Sequence, residues 1–158
     1  MADSNDVRSA ISRTGYAIKV ANGPTCWVSK MKTEVALSTT EAEHIALSQS
    51  TRDLIPIRNM VEYLNQFIKV NNKEITTYST LFEDNTGTLQ LATEPNHRPR
   101  TKNMSVKYHH FRHYIKKKII SIQAINTNDQ QADVLIKPLA LDEFRKFRQF
   151  VSGCQKQF

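Results

Sequence analysis

Thr14-Gly-Tyr-Ala-Ile-Lys-Val-Ala-Asn-Gly-Pro-Thr-Cys-Trp-Val-Ser-Lys30 is the stretch from which the fold is read. Its first seven residues alternate between apolar and polar positions, the Ala21-Asn-Gly-Pro24 cluster breaks that pattern, and Cys26 to Lys30 resumes it. Two antiparallel strands joined by a turn are expected. Trp27, on the second strand, is expected in the core. Ser38-Thr-Thr-Glu41 then carries the Ser/Thr-x-x-Glu signature of a helix start, in which a hydroxyl and a carboxylate satisfy the first free amides. Ala42, Ile45, Ala46 and Leu47 supply the apolar face of a helix beginning near Thr40.

Working outward, Leu54, Ile57, Met60, Val61, Leu64 and Phe67 continue the helical period. Pro56 lacks a backbone donor, so one bent helix or two helices end to end both fit. Thr76 to Phe82 is rich in β-branched and aromatic residues and stops at Glu83-Asp-Asn85, which predicts a strand delivering Asp84 at its end. Thr88 to Ala92 reads as a short helix. Met104 to Lys118 reads as a helix with Phe111 and Tyr114 inward, and Ile119 to Ile125 switches to the strand period. A helix over Asp129 to Ala140, limited by Pro138, and a terminal helix over Leu141 to Val151 close the chain; Phe144, Phe147, Phe150 and Val151 face inward in the latter. This order predicts an α/β fold with one mixed sheet covered by helices. The 158 residues are enough for one core and one domain.

The first fourteen residues offer no apolar core for a signal peptide, and no later stretch approaches a membrane span. The expectation is a soluble intracellular protein with no membrane partner. Cys26 and Cys154 form no Cys-x-x-Cys pair, which suggests reduced thiols and neither zinc nor a disulfide framework. The net charge of +7 is concentrated: Pro95 to Asn128 contains no acid but includes Arg98, Arg100, Lys102, Lys107, Arg112 and Lys116 to Lys118. Such a local field suits a polyanion such as a nucleic-acid backbone, against the plainer reading of a solvated charged face.

Three acids fall near the ends of expected elements: Glu43 early in the long helix, Asp84 at a strand end and Asp133 early in a late helix. Carboxylates gathered from separate elements can hold two hard cations about 4 Å apart, activating a water and stabilising the leaving oxygen of a phosphodiester. Each acid also has a structural explanation. Glu43 completes a capping box, Asp84 caps the next helix, and Asp133 complements a helix dipole.

The wording of the segments adds a further argument. Arg13-Thr-Gly-Tyr16, Trp27-Val-Ser-Lys30, Leu37-Ser-Thr-Thr-Glu-Ala-Glu-His-Ile-Ala-Leu47, Glu83-Asp-Asn85, Arg100-Thr-Lys102, Val106-Lys-Tyr-His-His-Phe-Arg112 and Ala132-Asp-Val-Leu-Ile-Lys-Pro-Leu139 follow one another in order. Together they closely resemble the ribonuclease H domain of copia-type (Pseudoviridae) retrotransposon Pol polyproteins, over about Arg13 to Leu139.

The resemblance implies a ribonuclease H-like mixed sheet flanked by helices. It assigns metal-binding and catalytic roles to Glu43, Asp84 and Asp133, with magnesium or manganese as cofactor. The implied task is cutting the RNA strand of an RNA–DNA hybrid, alongside the reverse transcriptase portion of the same polyprotein, in cytoplasmic virus-like particles or the nucleus. Arg100, Lys102, Lys107, His109, Arg112 and Lys116 would then face nucleic acid. Family members open with a strand bearing the first metal-binding aspartate; here that position falls at or before Met1. The first strand is therefore expected to be missing, with Asp3 the candidate substitute and Asp6 a second. Asn103, Ser105 and Ile136 also depart from the family's common residues, so a catalytically dead remnant that binds nucleic acid is the alternative. The expected organisation is an N-terminal remnant over 1–12, the domain over 13–140, and a C-terminal helix and tail over 141–158. Of His109 and His110, one is expected to pack inward and the other to face water.

Overall fold

The computed structural model describes residues 13–31, 39–68, 75–93 and 110–152. Its first element, β1 (Arg13–Val20), pairs antiparallel with β2 (Gly23–Met31) from Arg13 opposite Met31 to Val20 opposite Gly23. The expected turn is present: Ala21 and Asn22 both have positive φ, 49° and 67°, the left-handed pair that matches strand twist in a two-residue hairpin. A shift in register between Ile18 and Lys19 leaves Thr25 as the extra residue of a bulge. Thr14, Tyr16 and Ile18 alternate inward and pack β1 on the long helix.

That helix, α1 (Thr39–Asn65), runs unbroken through Pro56, which lies exposed. Its buried residues, from His44 to Thr51, include hydroxyls that would be costly without partners. Ser50 and Thr51 both donate to the carbonyl of Leu47, at 3.0 and 2.8 Å. Farther along, Arg58 donates to the Thr77 carbonyl and the Ser79 hydroxyl, fixing the segment that leads into β3 (Thr80–Glu83). A short helix α2 (Thr86–Thr93) follows, then α3 (His110–Lys116) and β4 (Ser121–Ala124), which pairs parallel with β3. Leu47, Leu81, Ala92, Phe111 and Ile120 form the core, with Phe111 and Ile120 essentially inaccessible. Phe111 meets His44 edge-on, with ring centroids 4.9 Å apart. Tyr114 packs against the same cluster, as its helical spacing implied.

Several expectations are corrected. The strands do not form one sheet: the described residues make two two-stranded sheets, β1–β2 and β3–β4. The strand expected over Thr76 to Phe82 begins only at Thr80. Residues 129–140 form no α-helix; two 3-10 turns, Thr127–Asp129 and Gln131–Leu135, stand there instead. The side chains of Asn126 and Gln130 accept from the amides two residues on, starting each turn afresh, and the extended backbone of Gln130 separates them. Trp27 is 51% exposed rather than core, because it pairs across from Ala17 on the face turned away from α1. The last helix, α4 (Leu141–Ser152), rests on the second 3-10 turn and on β2. It buries Phe147 but leaves Phe144 exposed. Residues 104–109 fall outside the described positions, and so do the side chains of Phe150 and Val151, on which the inward expectation for them rests.

Candidate functional site

A cleft of about 910 Å³ lies between β1 and β3, floored by α1 and closed by the 3-10 segment. Glu43, Asp84 and Asp133, from three separate parts of the chain, all line it. Glu43 shares one face of α1 with Ala46, Leu47 and Ser50. Asp84 follows the last residue of β3, and Asp133 is buried in the second 3-10 turn.

The start of α2 explains how Glu43 and Asp84 come to one end of the cleft. Asn85, not Asp84, caps this helix: its Oδ1 accepts the Thr88 amide at 3.1 Å. Thr88 in turn donates its hydroxyl to the carbonyl of Thr40, tying the two helix starts together. Gly87 makes the approach possible, since a Cβ there would stand 3.1 Å from Thr40 Oγ1 and 3.2 Å from Asn85 Oδ1. With Asn85 as the cap, Asp84 is released from the structural role weighed for it.

The sequence reading missed two residues of the cleft. Glu83 is only 4% exposed, and its carboxyl is pushed up to about 7. Burial is the main cause, and the charges of Glu43 and Asp84 add to it, against the Asn85 amide that donates to Oε1 at 3.0 Å. The signal was present: on a strand, Glu83 shares the inward side of Leu81. The second is Lys137, whose Nζ lies 2.6 Å from Asp133 Oδ2. That bond to Asp133 holds its pKa above the usual lysine value, and the charges of Asp133, Asp84 and Glu143 reinforce it. An i,i+4 acid–lysine spacing was the available clue.

Negative charge is thus concentrated at one end of the cleft, in oxygen donors of the type that hard cations take. The donors are not gathered into a finished cage. Among the described residues no three of His, Cys, Asp or Glu stand close enough to hold a metal ion, and the Asp133 carboxylate is engaged by Lys137.

The expected nucleic-acid contacts separate from this cleft. No described residue of α3 lines it. Arg112 is half-buried, and burial pushes its pKa down, whereas Lys116 is exposed beside Lys117 and Lys118. His110 packs inward: its Nδ1 lies 3.2 Å from Ser48 Oγ and its ring meets Tyr114 edge-on. Burial, with the charge of Arg52, lowers its pKa and favours the neutral ring. Asp3, Asp6, Arg100, Lys102, Lys107 and His109 lie outside the described residues. Cys26 is a free thiol, and Cys154 also lies outside them. No helix among the described residues is long and apolar enough to cross a membrane.

Comparison with known proteins places the chain in context. It is 29% identical over 148 residues, 94% of its length, to the retrovirus-related Pol polyprotein from transposon TNT 1-94 of Nicotiana tabacum. It is 26% identical over 91% of its length to the corresponding polyprotein from transposon RE1 of Arabidopsis thaliana. The chain covers 10% and 9% of those two polyproteins. A 52-residue portion, a third of the chain, is 42% identical to the secreted RxLR effector protein 161 of Plasmopara viticola, of which it covers 37%. No family model and no solved structure matches. The similarity to transposon Pol polyproteins supports a retrotransposon-derived protein.

Proposed function

We propose that this chain is a ribonuclease H-type unit of a copia-type retrotransposon Pol polyprotein, or descends from one, and hydrolyses the RNA strand of RNA–DNA hybrids. The observation that carries the reading is the convergence of Glu43, Asp84 and Asp133, singled out from three distant segments, on one cleft. The donor set suits magnesium or manganese in chemistry, and Glu43 and Asp84 lie near enough to Glu83 for their charges to add to the rise that burial gives its carboxyl. Glu43, Asp84 and Asp133 would hold the ions, which supply water activation and leaving-oxygen stabilisation when bound.

The chain's own residues have separable tasks in this reading. Asn85 and Thr88 fix the junction that sets Asp84 beside α1. Lys137 holds the Asp133 carboxylate. Exposed Lys116, Lys117 and Lys118 offer charge to a phosphate backbone, with recognition by hybrid shape and not by base sequence. Asp3 remains the proposed substitute for the family's first aspartate. The reverse transcriptase portion of the polyprotein is the proposed partner, in cytoplasmic particles or the nucleus.

A specific observation favours a second reading, a remnant that binds nucleic acid without cutting it: Asp133 is tied to Lys137, and no three-carboxylate group is assembled among the described residues. Incubating the full chain with an end-labelled hybrid and magnesium or manganese separates the two. The nuclease reading expects cleavage of the RNA strand that disappears in Asp84→Asn. Binding that weakens steeply with salt, without product, would establish the remnant instead.

A further inference from the structure

The second half of α1 presents a face that the described core leaves uncovered. On its other side Arg58 pairs with Glu62 and donates to the Thr77 carbonyl, and Asn65 donates to Thr77 Oγ1 at 2.9 Å. Opposite these three on the helix stand Pro56, Met60, Tyr63 and Phe67, all exposed. They recur at steps of four, three and four residues, the spacing of a coiled-coil seam and narrower than the stripe a helix turns to its own core. Phe67 keeps that spacing in the turn after Asn65: its amide donates to the Leu64 carbonyl at 3.0 Å, and its ring meets that of Tyr63 edge-on with centroids 5.1 Å apart. No residue from Pro56 to Ile68 lines the cleft, so this face is separate from the acids.

Charge, area and symmetry all bear on what covers it. Arg58 and Glu62 are the only charged residues from Pro56 to Ile68, and both lie off the face. The chain's net charge of +7 opposes self-association over its basic surfaces, and this face adds nothing to that repulsion. Met60, Tyr63, Leu64 and Phe67 are 54%, 60%, 46% and 70% exposed. At about 200 Å² for a large side chain they leave roughly 450 Å² uncovered, so two copies meeting here would bury about 1,000 Å² with the flanking residues, where specific interfaces begin. About a two-fold axis between Val61 and Glu62, with the helices antiparallel, Phe67 of one copy falls on Pro56 of the other and Met60 falls on Tyr63. A bulky ring thus meets the flattest position of the seam, and a thioether meets an aromatic ring.

We propose that this face of α1 is a self-association surface, on which a second copy of the chain docks the same face antiparallel about a two-fold axis. From Pro56 to Phe67 the seam is roughly 16 Å long at about 1.5 Å per residue, short for a coiled coil. The pairing is therefore reversible, with a dissociation constant in the micromolar range, and each copy folds without the other. The inference is independent of what the acids do: two copies can pair whether or not the cleft hydrolyses anything.

The test uses the full 158-residue chain and two variants at exposed positions, Met60→Lys and Tyr63→Glu, with far-UV circular dichroism checking that each stays folded. Mass is followed by sedimentation equilibrium from about 1 to about 300 µM. The wild-type chain should rise from 18.1 kDa toward twice that value. Each variant alone should weaken the dimer about tenfold or more, because a charge is buried against the facing thioether or ring. Mixed in equal amounts, the two variants should pair to within about threefold of wild type, since the introduced ammonium and carboxylate then face each other while the second Met60–Tyr63 contact stays native. A wild-type chain that remains monomeric at the highest concentration overturns the proposal and assigns the seam to a different polypeptide. A dimer indifferent to both variants overturns it as well, and so does a loss that mixing fails to repair, since the facing pair would then be wrong.

Discussion

Replacing Glu83 by glutamine should remove the pH dependence of stability that this buried acid imposes. The folded protein holds the proton more tightly than the unfolded chain, with the carboxyl at about 7 against an ordinary value of 4.5. Protonation therefore contributes stability that is fully present below about 4.5 and is lost as pH rises to about 7. At about 1.4 kcal/mol for each tenfold change in proton affinity, the full loss is about 3 kcal/mol, and most of it falls between pH 5 and pH 8. Glutamine keeps the shape and can still accept the Asn85 amide, yet it carries no charge to desolvate. Urea unfolding at pH 5 and pH 8, extrapolated to water, gives the comparison. The wild-type chain should lose about 2 to 3 kcal/mol more than Glu83→Gln across this interval. Parallel pH profiles for the two proteins would refute the reasoning, since they would mean that Glu83 ionises as an ordinary surface carboxylate.

Three other substitutions probe the frame around the cleft. Gly15→Ala should destabilise by about 1 to 3 kcal/mol, read as a lowered thermal midpoint, because the new Cβ would overlap Ile136 Cγ2 and stand 2.9 Å from Leu135 Cβ. Asn85→Ala should cost about 1 kcal/mol in urea unfolding by removing the cap of α2; a variant as stable as wild type would show that the cap is not made in solution. Ala21→Gly should stabilise by up to about 1 kcal/mol, since Ala21 sits at φ 49°, where a Cβ is penalised and glycine is not.

The hairpin and α1 were legible because their signals are local: alternation, the Ala21-Asn-Gly-Pro24 turn cluster and a capping box each act within a few residues. Trp27 and Phe144 were misplaced for a different reason. An apolar residue is buried only if something covers it, and the split sheet leaves Trp27 on an open face, with α4 burying Phe147 ahead of Phe144. The 3-10 segment escaped notice because Asn126 and Gln130 compete with helix through their side chains, a contest that periodicity does not register. Each of the three acids was visible in the sequence, but their shared cleft was not. Nor was Lys137 as the partner of Asp133, or Glu83, whose unusual proton affinity arises from burial beside Glu43 and Asp84.

Titration of the isotopically labelled full chain with manganese probes the nuclease reading at its root, because the paramagnetic ion broadens resonances only near where it binds. Selective loss of the signals of Glu43, Asp84 and Asp133 at low stoichiometry, abolished in Asp84→Asn, is the predicted result. Broadening confined to other acids, or none at all, would contradict a shared ion site in this cleft.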